Sequence, residues 1–265
     1  MAIMRFRRRH EQNEPAMALY LELMKRCLAN TIYGEQTDPS FDAQVREEGR
    51  DWPAPVAVHT MIGLKRLENL QFCMQDVLTR RVHGDVIETG VWRGGATIFM
   101  RAILKAYRSN RTVWVADSFA GLPPPNAEHY PQDADDWLHT RPELAVSLDE
   151  VRANFARYGL LDDQVRFLPG WFRDTLPHAP IKRLSILRLD GDMYESTMDA
   201  LRALYPKLSV GGYCIIDDYG AMESCRQAIH DYRRDHRIRD AIHTVDWTGA
   251  YWQRGRKRLI PGFLP

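Results

Sequence analysis

Four carboxylates stand out by position. The stretch RLDGDMYEST, Arg188 to Thr197, sets Asp190 and Asp192 at the end of the apolar run LSILRL, and YCIIDDYG, Tyr213 to Gly220, closes a second apolar run with Asp217 and Asp218. In extended backbone residues i and i+2 point the same way, so Asp190 and Asp192 can share a crevice. Asp217 and Asp218 can join them where the chain turns at Gly220. Carboxylates crowded in this way repel one another and raise each other's pKa unless a cation neutralises them. Oxygen-only ligation, with no histidine or cysteine beside it, points to Mg²⁺ over zinc, with Mn²⁺ and Ca²⁺ as rivals. Asp190, Asp217 and Asp218 would supply three oxygens and leave Asp192 for proton transfer. A hydroxyl held on a cation becomes more acidic, and a neighbouring carboxylate can then remove its proton. Helix capping, or pairing with Arg188 or Lys182, would account for any one of these aspartates but not for all four at two strand ends.

A second constellation lies upstream in IETGVWRGGATIFM. Gly90, Gly94 and Gly95 let backbone approach a ligand closely between a strand and the helix that follows it. The pattern is neither G-x-G-x-x-G nor G-x-x-x-x-G-K with Ser or Thr, so neither a dinucleotide nor a phosphate loop is supported. Glu88 stands at the turn, where an anion would repel a pyrophosphate and suit an ammonium group. Asp117, followed by Ser118, ends the next strand, where acidic residues of nucleotide-binding α/β folds accept hydrogen bonds from ribose hydroxyls. A ligand with an amino-acid moiety and a ribose satisfies both anions, and S-adenosylmethionine is that ligand. After the third strand, Gly170-Trp171-Phe172 offers an aromatic wall suited to its purine. Catalysis would then be mostly placement of oxygen, methyl carbon and sulfur in line.

To position these groups the chain must bring several strand ends to one edge. From Asp85 onward short apolar strands alternate with helical segments: DVIET, TVWVAD, VRFLP, LSILRL and YCIID. That alternation predicts a doubly wound parallel sheet whose ligand crevice lies at the carboxyl ends of its strands. IHTVDW and AYWQR follow, separated only by Thr248 and Gly249, and read as a hairpin that adds an antiparallel edge. The sum is a Rossmann-like, seven-stranded, mostly parallel α/β sheet. Ser147 with Glu150 forms a capping box, Gly159 sits at the C′ position of that helix, and Ser196 with Asp199 opens the helix after the aspartates. Upstream, residues 15–33 and 60–78 carry apolar residues at helical spacing, which makes residues 1–80 a helical appendage or lid and residues 81–265 the catalytic domain. The 26 residues from Gly121 to Val146 include five prolines. A βα loop usually has about 2–6 residues, so this one reads as a lid or binding wall.

The bulk composition excludes several classes. With 36 basic against 35 acidic side chains there is no global field to draw nucleic acid or anionic lipid. The local clusters, Arg5, Arg7, Arg8, Arg9 before Pro15 and Arg254, Arg256, Lys257, Arg258 at the other end, read as solvated tails. No stretch approaches the roughly 18–20 apolar residues of a membrane span, and the N-terminus lacks a signal-peptide core. These features predict a cytoplasmic protein. Cys27, Cys73, Cys214 and Cys225 show no C-x-x-C spacing and read as buried thiols.

Five ordered motifs carry a family likeness. IETGVWRGGA, VWVADSFAGLP, VRFLPGWF, LRLDGDMYEST and IIDDYG together resemble the macrocin-type sugar O-methyltransferases of antibiotic biosynthesis, which include mycinamicin and novobiocin enzymes. The likeness runs from about Arg46 to Trp252, takes in EEGRDWP and HTMIG, and is nearest to the novobiocin-type member. It implies a class I methyltransferase fold, Mg²⁺ held by Asp190, Asp217 and Asp218, and a general base at Asp192. It implies cofactor contacts at Met61, Glu88, Gly90, Asp117, Ser118, Ser147, Gly170 and Trp171. It also implies that Glu47 to Pro53 closes over the site and that N-terminal segments join two subunits in a homodimer. Acceptor choice is expected in Pro123 to Leu144, although His129, Tyr130, Trp137 and His139 are each better explained by loop packing. The expected reaction is Mg²⁺-dependent methyl transfer from S-adenosylmethionine to a deoxysugar hydroxyl on a natural-product glycoside. A catechol-like or other phenolic diol is the alternative acceptor, because a metal chelates two adjacent oxygens of either kind. A phosphoester hydrolase is disfavoured by the lack of histidine beside the carboxylates, and an inert scaffold by the completeness of the aspartate set.

Overall fold

In the computed structural model, which describes residues 2–32, 47–49 and 58–255, the chain folds around one mixed sheet. β1 (Asp85–Thr89), β2 (Val113–Asp117), β3 (Val165–Pro169) and β4 (Leu184–Leu189) fall on the apolar runs that predict them. β5 (Leu208–Ile216) starts before YCIID, because Gly211 at φ +85° lets the strand carry an irregularity opposite β4 and continue. β6 (His243–Thr244) and β7 (Ala250–Gln253) form the antiparallel edge. The first strand of this hairpin is shorter than IHTVDW predicts. Asp246 Oδ1 accepts from Thr248 N at 3.1 Å and Gly249 N at 2.7 Å, which converts the segment after Thr244 into a loop.

The strand order is β3-β2-β1-β4-β5-β7-β6, and the pairs among β1 to β5 are parallel. The seven-stranded, mostly parallel sheet with an antiparallel edge is therefore as expected. Chain order reverses between β1 and β4, the switch point at which such sheets open a ligand crevice. Parallel strands covered on both faces need continuous apolar sequence, and β1, β2 and β4 are buried along nearly their whole length. β4 departs from that rule at Arg188, which is 1% exposed.

Helices cover both faces. α1 (Ala2–Leu28), α2 (Leu64–Thr79), α3 (Gly95–Ala106) and α4 (Leu148–Arg157) build one core, and α5 (Phe172–Thr175), α6 (Tyr194–Leu204) and α7 (Glu223–Asp235) contribute to the other. α3 explains why the N-terminal helices are needed. Every residue from Gly95 to Leu104 is buried, so packing on the sheet alone would leave its outer apolar face in water. Leu21 and Leu28 of α1 and Leu67, Leu70 and Met74 of α2 cover that face.

Ser147 caps α4, accepting from Glu150 N at 3.2 Å, and Gly159 follows it at φ +64°, as the sequence predicts. Two local expectations fail. α1 runs through Pro15 from Ala2, so Arg5 to Arg9 lie in helical backbone: a proline deletes one helical hydrogen bond and does not always end the helix. Arg254 is no tail residue, since its Nη1 donates to Tyr205 O at 2.8 Å; Arg256, Lys257 and Arg258 lie outside the described residues. The four cysteines are free, and no helix among the described residues is long and apolar enough to cross a membrane.

The switch point is closed to side chains at Gly90. Its φ is +82°, and a Cβ there would stand 1.5 Å from the backbone oxygen of Asp190. Gly90→Ala is expected to destabilise the protein by more than ~2 kcal/mol in urea unfolding; an unchanged midpoint would contradict this backbone contact.

Candidate active site

The sheet ladder extends one hydrogen bond past each strand end. Gly170 N donates to Asp117 O, Gly90 N to Ala116 O, Asp190 N to Thr89 O and Asp217 N to Leu189 O, each at 2.9 Å. Loops from β1 to β5 therefore leave at one level, and their side chains line one cleft.

The cleft has two lobes. Met61, Gly90, Asp117, Ser118, Trp171 and Phe172 line the first. Arg66, Glu88, Arg188, Asp190, Asp217 and Asp218 line the second. Met61, Trp92, Leu144, Asp190 and Asp192 belong to both, so Asp192 stands at the junction. Five of the expected cofactor residues thus come together in the first lobe. Glu88 faces the second, Gly170 stands behind the lining with its N–H on Asp117 O, and Ser147 serves its helix cap.

Asp117 is a preset acceptor. Its Oδ2 takes Val91 N and its Oδ1 takes Phe119 N, both at 2.7 Å. Burial raises its pKa and these backbone donors oppose the rise. Trp92 N is a third backbone donor, and since a carboxylate offers about four lone-pair directions it can still receive a ligand hydroxyl. Ser118 Oγ donates to Gly121 O at 2.6 Å and holds the start of the long loop.

The second lobe carries more carboxylates than cations. Arg188 pairs with Glu88 and Asp217 and, at 2.7 Å, with Asp190 Oδ2. Arg66, reaching in from α2, pairs with Asp217 and, at 3.0 Å, with Asp246 Oδ2. These two guanidinium groups hold Asp217 below its ordinary range although burial pushes the other way. The others are not so compensated. Burial, with Asp190 and Asp217 nearby, pushes Glu88 up to about 8 in spite of Arg188. Burial and then Asp217 push Asp190 up to about 6, and burial with Asp192, Asp190 and Asp217 drives Asp218 well above the usual carboxylate range. Glu88 Oε2 is buried with no protein partner, an acceptor left for a ligand donor.

One oxygen from each of Asp190, Asp217 and Asp218 lies within 4.8 Å of the others, close enough for small rotations to converge them on one hard cation. Asp190 uses Oδ2 for Arg188 and Asp218 uses Oδ2 for Asp192 N at 3.1 Å, so each has a second oxygen outside these bonds. Asp217 gives both oxygens to arginines and would ligate through remaining lone pairs. The donor set fits a hard divalent ion, and its surplus charge is what such an ion relieves. Asp192 sits at φ +57°, a left-handed conformation that costs a non-glycine residue about 1–2 kcal/mol. Asp218 Oδ2 on its N–H and Ser224 Oγ on its carbonyl, at 3.2 Å, hold it there.

Sequence reasoning missed Arg66, Asp246 and Asp133. Arg66 looks like one more cation on an amphipathic helix, and only tertiary packing sends it inward. Arg188, which from sequence could pair with any single aspartate, serves three acids. Asp133 caps α6 by accepting from Tyr194 N at 2.7 Å and Glu195 N at 2.9 Å. α6 begins at Tyr194, so Ser196 and Asp199 lie inside it and do not form its cap. Of the four loop residues considered for acceptor choice, Trp137 lines the second lobe, Tyr130 packs on Tyr194 and His129 bonds Asn126. Of Glu47 to Pro53, Glu48 is tied through its carbonyl to Arg66 and Trp247, at 3.3 and 3.1 Å, and residues 50–53 lie outside the described residues.

Known proteins resemble this chain along most of its length. Residues 6–254 match the model of the family described as macrocin-O-methyltransferase (TylF). The chain is 56% identical over 248 residues, 91% of its length and 94% of the relative's, to an 8-demethyl-8-(2,3-dimethoxy-alpha-L-rhamnosyl)-tetracenomycin-C 4'-O-methyltransferase of Streptomyces olivaceus. It is 54% identical to the demethyldecarbamoylnovobiocin O-methyltransferase of Streptomyces niveus, covering 90% of this chain and 94% of that one. It is likewise 54% identical to the mycinamicin III 3''-O-methyltransferase of Micromonospora griseorubida, over 89% and 96%. The solved O-methyltransferase NovP superposes with a TM-score of 0.86 at 55% identity, covering 91% of this chain and all of that one. CalS11, a calicheamicin methyltransferase, shares the fold at 18% identity and a TM-score of 0.60, over 92% and 94%.

The electrostatics predict a pH effect. An acid whose pKa is higher in the folded than in the unfolded protein favours folding when protonated, so stability falls as pH rises between the two values. For Glu88 that window runs from 4.5 to about 8. In metal-free protein Glu88→Gln should flatten the decline of the urea midpoint between about pH 5 and about pH 8; an identical decline in both proteins would contradict it.

Proposed function

The chain belongs to the macrocin O-methyltransferase family and is an S-adenosylmethionine-dependent O-methyltransferase, and from that premise we propose that it methylates a deoxysugar hydroxyl on a natural-product glycoside, with Mg²⁺ held by Asp190, Asp217 and Asp218. The observation that carries this reading is Asp192 at the junction of a lobe built round Asp117 and a lobe overloaded with carboxylates. The relatives named for a rhamnosyl-tetracenomycin and for mycinamicin III support a glycoside acceptor here.

S-adenosylmethionine supplies the electrophilic methyl group, and Mg²⁺ would supply the charge that makes an alcohol acidic. The chain's own residues do the rest. Asp117 accepts from ribose hydroxyls, held by the Val91 and Phe119 amides. Gly90 places the β1 turn in the lining of the lobe, and Met61 and Trp171 wall it. Glu88 keeps one oxygen for an ammonium group. Asp192 takes the hydroxyl proton on a carboxylate oxygen, and its left-handed turn keeps that group at the junction. Residues 1–80 serve as cover and subunit contact in this reading. Leu19 and Leu23, one turn apart on α1 and 72% and 54% exposed, support a homodimer contact.

Incubating candidate glycosides and free catechols with S-adenosylmethionine and Mg²⁺ tests the acceptor class. Mass spectrometry should find one added methyl on a glycoside, and methylation of catechols alone would reverse the assignment. Asp192→Asn should lower kcat by on the order of 10²–10⁴-fold with cofactor affinity nearly intact; unchanged turnover would remove Asp192 as the base.

A further inference from the structure

One of the most buried charges in the molecule plays no part in that chemistry. Asp133 lies in the long loop between β2 and α4 and is 1% exposed. Its carboxylate accepts from Tyr194 N at 2.7 Å and Glu195 N at 2.9 Å. These amides open α6, whose N-cap residue, Met193, provides no side-chain cap. The first N–H groups of a helix have no partner within it, and a carboxylate satisfies them well because the helix dipole favours negative charge there. The unusual feature is the origin of the cap, 61 residues earlier in the chain.

The bond joins two parts of the site. On one side α6 follows directly from Asp190 to Met193, the turn that carries Asp192 in its left-handed conformation. On the other side a short relay leads from Asp133 to the wall of the second lobe. Asp136 N donates to Asp133 O at 3.0 Å, and Asp136 Oδ1 accepts from Leu138 N at 3.0 Å. Trp137 O then accepts from Thr140 Oγ1 at 2.7 Å. Trp137 and Leu138 share the second lobe with Asp190 and Asp192. Tyr130 adds a ring contact with Tyr194, with centroids 6.0 Å apart.

We infer that Asp133 is a positioning residue for the acceptor: it pins the wall formed by Trp137 and Leu138 to the helix that follows the catalytic turn. The wall against which the glycoside binds is thereby held in place. Trp137 and Leu138 line the second lobe, whereas Gly121, Leu122 and Pro123 at the start of the same loop line the first. This rests on the acceptor reading given above.

Steady-state kinetics with a glycoside that the wild-type enzyme methylates tests it. Asp133→Ala removes both acceptor oxygens and should raise the acceptor KM by about tenfold, with kcat and the S-adenosylmethionine KM within about twofold of wild type. Trp137→Ala should also raise the acceptor KM, and in the double variant the two effects should be far from additive, because the pin acts through the wall. Equal damage to both KM values and kcat, or full additivity, would make Asp133 a structural cap only and overturn the inference. If Asp133→Ala fails to fold, Asp133→Asn keeps the side-chain volume and one acceptor oxygen and should show the same split with a smaller rise. An unchanged acceptor KM in that variant overturns the inference as well. If the wild type methylates no glycoside, the acceptor reading falls, and the same KM comparison is made with whichever diol it does methylate.

Discussion

Arg188 lies in a strand buried on both faces, and it can stay charged there only because Glu88, Asp190 and Asp217 converge on it. A buried ion pair gains little net stability over an apolar pair of the same volume, but removing one partner leaves an uncompensated charge that costs about 3–5 kcal/mol. The convergence therefore constrains three strands at once. β1 must deliver Glu88, β4 Arg188 and Asp190, and β5 Asp217, all at one height. The touching backbones of Gly90 and Asp190 are the steric side of the same constraint.

A single guanidinium cannot balance that many acids, and among the described residues of the lobe Arg66 is the one further cation. Arg66 comes from α2, a helix whose apolar residues Leu67, Leu70 and Met74 cover α3, so the N-terminal segment contributes to the electrostatics of the cleft as well as to its cover. Asp218 lies at the edge of this arrangement, with its pKa driven up by burial and then by Asp192, Asp190 and Asp217. An imbalance of this kind is costly to maintain and is characteristic of sites that bind charge or move protons. The first lobe is different in kind. Its anion, Asp117, is neutralised by backbone amides, which suits hydrogen bonding to neutral hydroxyls.

Much of this was legible in the chain, for physical reasons. Strands buried on both faces must be apolar throughout, so DVIET and LSILRL announce themselves, and the aspartates beyond them have no apolar explanation. Turn chemistry was legible where it is local, as at Ser147 and Gly159. It was not legible where the partner is remote: the cap of α6 comes from Asp133, and Ser196 only mimics the pattern. Arg66 was hidden for the same reason, since periodicity tells which helix face is apolar but not where a long cation ends. The division of the expected cofactor residues between two lobes follows from side-chain direction at the ends of adjacent strands, which spacing alone does not encode.

The central claim is that the surplus of carboxylates at the tips of β4 and β5 exists to hold a divalent cation. Anomalous diffraction from crystals grown with Mn²⁺ measures this directly. The account predicts one peak about 2.0–2.4 Å from oxygens of Asp190, Asp217 and Asp218. Absence of a peak there at saturating Mn²⁺, with Arg66 and Arg188 still occupying those carboxylates, would contradict it.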